Sequence, residues 1–210
     1  MRITKFGHAC VRIEYDGQVV VVDPGVFTDR EAVDGATAVL VTHEHADHYD
    51  LGHLAASDAP VFTIGAVADQ IRADSPEVAE RTTVVLPGQA FDVGLPVTAV
   101  GEDHAVIHPS FPGFANSGYL VTAGDETVFH PGDSFELPGR PVDVLCAPVS
   151  GPWLKLAETL DFAKAVGAPR TLAIHERILS DVGLGMLDDR MKAFLEGVGS
   201  YHRLPDGADL

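Results

Sequence analysis

Two hundred and ten residues suit one domain, or two closely packed halves, with room for a sizeable core. Fourteen Lys and Arg against 31 Asp and Glu give a net charge of −17, which excludes the clustered cations that hold a nucleic-acid backbone or an anionic lipid surface. A hydrophobic content of 46% excludes a disordered chain, and two cysteines, Cys10 and Cys146, exclude a disulfide framework.

Along the chain, Val11–Tyr15 and Gln18–Asp23 flank Asp16-Gly17, a two-residue hairpin signal. Ala38–Thr42 is a continuous apolar run, the mark of a buried strand. Leu51–Ser57 and Ala66–Asp74 read as helices on either side of a strand at Val61–Ile64. Strands follow at Thr82–Leu86, Ala90–Val93 and Val97–Val100, separated by Pro-Gly and Gly-Leu-Pro turns. Gly118–Thr122, Thr127–His130 and Val142–Ala147 continue the pattern. Apolar stripes then place helices at Lys155–Val166 and Leu184–Leu195, with the strand Thr171–His175 between them. No linker and no internal repeat divides the chain, so residues 1–210 read as a single domain. Hairpins mixed with helices predict an α/β protein of four layers, two mixed sheets flanked by helices. The first residues lack a signal-peptide core and no apolar run is long enough to span a bilayer. With so few cysteines, the expectation is a cytoplasmic protein.

Ten histidines are the chemical anomaly. Four potential ligands, His43, His45, Asp47 and His48, fall within six residues just after the strand Ala38–Thr42. On extended chain, residues i and i+2 point the same way, so His43 and His45 can address one point in space. Asp47 and His48 lie where the chain can curl back towards a neighbouring point. This is a metal-site pattern rather than a solvated polar loop. It is not the zincin signature, because Asp47 stands where the second His of H-E-x-x-H would be. Three distant residues of ligand type also follow apparent strand ends: His104, Asp133 and His175. His108 competes with His104, and spacing does not separate them. Phosphate-binding, dinucleotide-binding and serine-nucleophile motifs are absent.

The set H-x-H-x-D-H, then His, Gly-Asp and His, with the early Asp23-Pro24-Gly25, resembles the metallo-β-lactamase fold superfamily from about Gly7 to His175. The resemblance implies an αββα sandwich with its site at the edge between the sheets. It implies one metal held by His43, His45 and His104, a second by Asp47, His48 and His175, and Asp133 bridging the two. Asp23 becomes a buried structural acid. The activity implied is hydrolysis by a hydroxide bridging two divalent ions, zinc first, with manganese or iron as alternatives. Asp47 and Asp133 are the catalytic carboxylates in that scheme. Two such ions leave the site locally positive, so an anionic or carbonyl small-molecule substrate is compatible with the acidic chain.

Within the superfamily, true class B β-lactamases carry a Cys near the position of Asp133. Only 35 residues follow His175, too few for the helical domain of glyoxalase II types. RNA-processing branches need a basic exosite, and flavodiiron branches need a Glu in place of His45. Gly7-His8-Ala9 and Pro148-Val149-Ser150-Gly151-Pro152 are similar to the compact hydrolases related to ascorbate-6-phosphate lactonase. The segment Glu176-Arg177-Ile178-Leu179 departs from that branch. The competing reading is a mononuclear iron redox enzyme or a metal-binding protein without turnover. Lys155 and Arg177 are candidate anion contacts. His8 either lines the mouth or is structural, and His130 sits behind the ligands. His53 is expected at the surface, His202 in the tail, Asp188-Asp189 in solvent, and both cysteines in the core. A homo-oligomer is compatible with all of this.

Overall fold

The computed structural model describes all 210 residues. β1 (Arg2–Lys5), β2 (Val11–Tyr15) and β3 (Gln18–Val22) form an antiparallel meander. The β2–β3 turn is tight because Asp16 and Gly17 both take positive φ, +48° and +77°. β4 (Ala38–Val41), β5 (Val61–Thr63) and β6 (Thr82–Val84) then extend the sheet in parallel, giving the order β1-β2-β3-β4-β5-β6. The parallel crossovers carry α1 (Leu51–Ala55), α2 (Gly65–Asp74) and α3 (Pro76–Glu80). A short 3-10 turn, Arg30–Val33, precedes β4.

The second sheet has seven strands. β7 (Ala90–Asp92), β8 (Pro96–Val100), β9 (Gly118–Ala123) and β10 (Glu126–His130) are antiparallel. β11 (Val144–Pro148), β12 (Arg170–Ile174) and β13 (Ser200–His202) continue it in parallel. Their crossovers carry α4 (Leu156–Val166) and α5 (Asp181–Phe194).

Side-chain alternation assigns the layers. Val20, Val22, Leu40, Val128, Val144, Cys146, Leu172 and Ile174 share one core between the two sheets. Their sequence neighbours face outwards. Val39, Val41 and Val61 pack with Leu54, Val67, Ile71 and Val78 of the first helical layer. Leu145, Ala147 and Ala173 pack with Phe162, Ala163, Leu187 and Met191 of the second. The expected four-layer arrangement of two mixed sheets is therefore observed. Both cysteines are buried.

Some elements differ from expectation. α3 was not anticipated; it starts because Ser75 accepts the Val78 N–H and Pro76 fills the first turn. α5 begins three residues before Leu184, because Ser180 caps the Gly183 N–H. His202, expected in the tail, lies in the C-terminal strand β13. His53 is buried at 7% exposure against the expectation of a surface residue, since α1 lays it on the protein. Asp188 is paired with Arg203 and Tyr201, not free in solvent, while Asp189 is exposed.

Candidate metal centre

All seven sequence-predicted site residues, and His8, follow strands at one edge of the sandwich. His8 lies beyond β1, His43, His45, Asp47 and His48 beyond β4, His104 beyond β8, Asp133 beyond β10 and His175 beyond β12. The approach of these loops is close. A Cβ at Gly25 would sit 2.1 Å from the Asp47 carbonyl oxygen, and one at Gly132 would sit 2.3 Å from Asn116 Oδ1. Only glycine admits both contacts. Of the four non-glycine residues at positive φ, three belong here: His8, Asp23 and His175. Such strain gathers where side-chain direction is over-determined by surrounding contacts.

Two donor groups result, His43, His45, His104 and Asp133 in one, and His8, Asp47, His48 and His175 in the other; within each, the donor atoms lie within 4.8 Å of one another. Asp133 stands between them. Its Oδ1 is 3.0 Å from His48 Nε2, and its Oδ2 is 3.2 Å from His175 Nε2, 3.4 Å from His104 Nε2 and 3.9 Å from His43 Nε2. Asp47 Oδ2 is 3.1 Å from His175 Nε2. All seven predicted residues are thus brought together. His104, not His108, reaches the cluster; His108 is exposed and bonds Ser110.

The hydrogen bonds behind the histidines decide which nitrogen faces inwards. Asp23 is fully buried and accepts from the Thr42 N–H, the Thr42 hydroxyl and His48 Nδ1–H, each at 2.7 Å. With its proton committed to Asp23, the Thr42 hydroxyl oxygen accepts from His43 Nδ1–H at 3.0 Å. His104 Nδ1–H donates to the Ala105 carbonyl. Each bond leaves an Nε2 lone pair pointing into the cluster, the tautomer a cation requires. The buried polar atoms without a hydrogen-bond partner include His48 Nε2, His104 Nε2, His175 Nε2 and Asp133 Oδ1. Orphaned buried atoms are costly unless a further group satisfies them. The donor set fits divalent cations.

Two histidines behave differently. His130 Nε2–H donates to the Ala9 carbonyl and its Nδ1 accepts the Gly132 N–H, so both nitrogens are committed to bracing the loops of His8 and Asp133. His8 Nδ1 accepts the Arg177 N–H at 3.4 Å, which puts its proton on Nε2, 3.1 Å from Asp47 Oδ2. In that tautomer His8 donates to Asp47 and has no lone pair for a cation.

Electrostatics follow from burial and mutual proximity. Burial lowers the pKa of His43 well below its ordinary value and lowers those of His8, His45 and His130. Burial also opposes charge on His48, but Asp133 and Asp23 outweigh it and raise that group. Burial opposes charge on His175 as well, but the carboxylates of Asp133 and Asp47, 3.2 and 3.1 Å from its Nε2, outweigh it and raise that group to about 9. Both carboxyls are held well below the usual range despite burial, Asp47 by His175 and His8, and Asp133 by His48, His104 and His175.

Sequence reasoning missed two supports. Trp153 Nε1–H donates to Asp133 Oδ2 at 2.9 Å, and its ring lies 5.6 Å from that of His104. Lys5, fully buried, pairs with Glu176 beside His175. A single Trp after Gly151-Pro152 was a legible signal for the first; a lone Lys in β1 was none for the second. Of the two candidate anion contacts, Arg177 is paired with Asp206, and Lys155 is exposed at the start of α4.

Residues 2–175 match the family model described as the beta-lactamase superfamily domain. Protein Rv0786c of Mycobacterium tuberculosis is 36% identical over 203 residues, 91% of each chain. A UPF0173 metal-dependent hydrolase of Methanospirillum hungatei is 28% identical over 198 residues, 87% of each. Igni18, a metallo hydrolase from Ignicoccus hospitalis, superposes with a TM-score of 0.76 at 18% identity, covering 100% of this chain and 97% of that one. The chain belongs to the metallo-β-lactamase fold superfamily.

Proposed function

We infer that this protein is a metal-dependent hydrolase of a small-molecule lactone, ester or phosphoester, working through a two-metal centre. The carrying observation is the position of Asp133, its two oxygens facing both groups of inward lone pairs. The similarity to the Methanospirillum metal-dependent hydrolase supports the same class, and the fold is shared with the Ignicoccus metallo hydrolase. His43, His45 and His104 would hold one ion, Asp47, His48 and His175 the other, with Asp133 shared. Zinc is the first candidate, as borderline ligands of this N/O type suit it, and manganese or iron are alternatives.

Bound there, the ions supply Lewis-acid polarisation of the scissile bond and an acidified water. The chain's own residues set the rest. Asp47, with one oxygen held by His8, is placed to orient a nucleophilic water and to take its proton. Trp153 fixes the carboxylate plane of Asp133. Asp23 and Thr42 lock His48 and His43 so that neither ring turns during the reaction. Desolvation around His43, His48 and Asp133 strengthens every local charge interaction.

The test strips the protein with a chelator, reloads it with zinc, and measures metal content together with turnover of a lactone, a nitrophenyl ester and a nitrophenyl phosphodiester. Two zinc ions per chain and hydrolysis of one class, lost in Asp133→Asn, is the expected result. One metal per chain with no hydrolysis of any probe overturns the reading in favour of a mononuclear redox or non-catalytic protein.

A further inference from the structure

Charged residues make up 21% of the chain, yet no Asp, Glu, Lys or Arg occurs from His104 to Gly124. The end of this stretch is the buried strand β9, where the absence is ordinary. Its beginning is the loop from β8 to β9, which faces solvent. There Val106 is 70% and Phe111 59% exposed. An uncharged, aromatic loop on the surface of so acidic a protein marks a binding surface.

The loop encloses a cavity of about 340 Å³, lined by His104 together with Val106, Ile107, Phe111 and Phe114. That is the size of a small-ligand pocket. It shares a wall with the metal centre. The Phe114 ring lies 4.6 Å from the ring of His45 and 6.1 Å from that of His104. Behind the second donor group, Phe27, 41% exposed, packs edge-on against His8 at 5.3 Å. Arg177, one of the two candidate anion contacts, is already paired with Asp206.

Resting on the hydrolase reading above, we propose that the β8–β9 loop seats an apolar acyl or alkyl group of the substrate, whose polar reacting end lies over the two donor groups. His104 lines this cavity and also faces Asp133, so a substrate whose reacting end lies over the donor groups can extend its apolar part into the cavity. The substrate class is therefore a hydrophobic ester or lactone rather than a sugar phosphate. Val106 and Phe111 determine specificity by contact area alone and take no part in the chemistry.

The experiment uses the zinc-loaded full chain and a series of straight-chain carboxylates, acetate to octanoate. The sole tryptophan, Trp153, adjoins Asp133 and His104 and reports occupancy by its fluorescence. Affinity should rise roughly two- to fourfold per methylene, the value for partial to full burial of that group. In a V106N/F111S variant the gradient should flatten while acetate binding stays unchanged. A flat series in the unaltered protein overturns the proposal. So does an unchanged gradient in the variant, including the case where the variant instead alters self-association in sedimentation. Failure of the hydrolase reading shows differently: the gradient persists but no ester of any chain length is cleaved.

Discussion

Trp153 Nε1–H and Asp133 Oδ2 are joined at 2.9 Å, and that oxygen is the one facing His104 and His175. The indole thus directs the carboxylate both donor groups share. Trp153→Phe keeps an aromatic ring against Phe135 but removes the donor. Loss of such an outer hydrogen bond costs about 10- to 100-fold in metal affinity or activity. Chelator competition and ester turnover should both register it, with little change in the urea midpoint.

His8 tests the same logic on Asp47. His8→Gln retains an N–H donor for Asp47 Oδ2, and His8→Ala does not. At the group of Asp47, His48 and His175 the glutamine variant should bind added zinc within a few-fold of the parent protein, while alanine loses about tenfold or more. Equal losses in the two variants would mean that His8 is itself a ligand.

The buried Lys5–Glu176 pair joins β1 to the residue after His175. Lys5→Met leaves a buried carboxylate uncompensated and should cost about 3–5 kcal/mol. Lys5→Met combined with Glu176→Leu removes both charges and should recover most of that loss. Urea unfolding of the three proteins distinguishes an electrostatic clamp from simple packing.

In the metal-free protein the histidines pull stability in opposite directions. The pKa of His175 rises from 6.5 to about 9, so its contribution is complete below 6.5 and is lost as pH climbs through 9. His48 is raised and has the same sign. His43 is lowered by burial, so its contribution is present above 6.5 and is lost as pH falls below that value. Unfolding midpoints in chelator should therefore peak near 6.5 and decline towards 9. Zinc requires His48 and His175 unprotonated, so its affinity should climb over the same interval. A metal-free midpoint that rises steadily to pH 9 would contradict the sign.

The donor residues were legible because they crowd a single segment, His43 to His48, and recur as isolated ligand-type residues at strand ends. The layers were legible because inward and outward positions alternate cleanly, as at Val20, Val21 and Val22. What escaped was set by tertiary contact. No periodicity announces that His8 turns its proton towards Asp47, since that depends on an N–H from Arg177, 169 residues away. The burial of His53 came from packing of a one-turn helix too short to show a stripe. Spacing could not choose between His104 and His108; tertiary position does, with His104 Nε2 3.4 Å from Asp133 Oδ2 and His108 exposed beside Ser110.

The donor groups differ in how much chain they need. His43, His45, His104 and Asp133 are all present once β10 and its following turn exist. The other group needs His175, held by a backbone bond from its N–H to the His8 carbonyl. The residues of the first group are therefore complete at Asp133, and those of the second only at His175. A chain truncated before β12 keeps every residue of the first donor group and lacks both His175 and the clasp that ties it to His8.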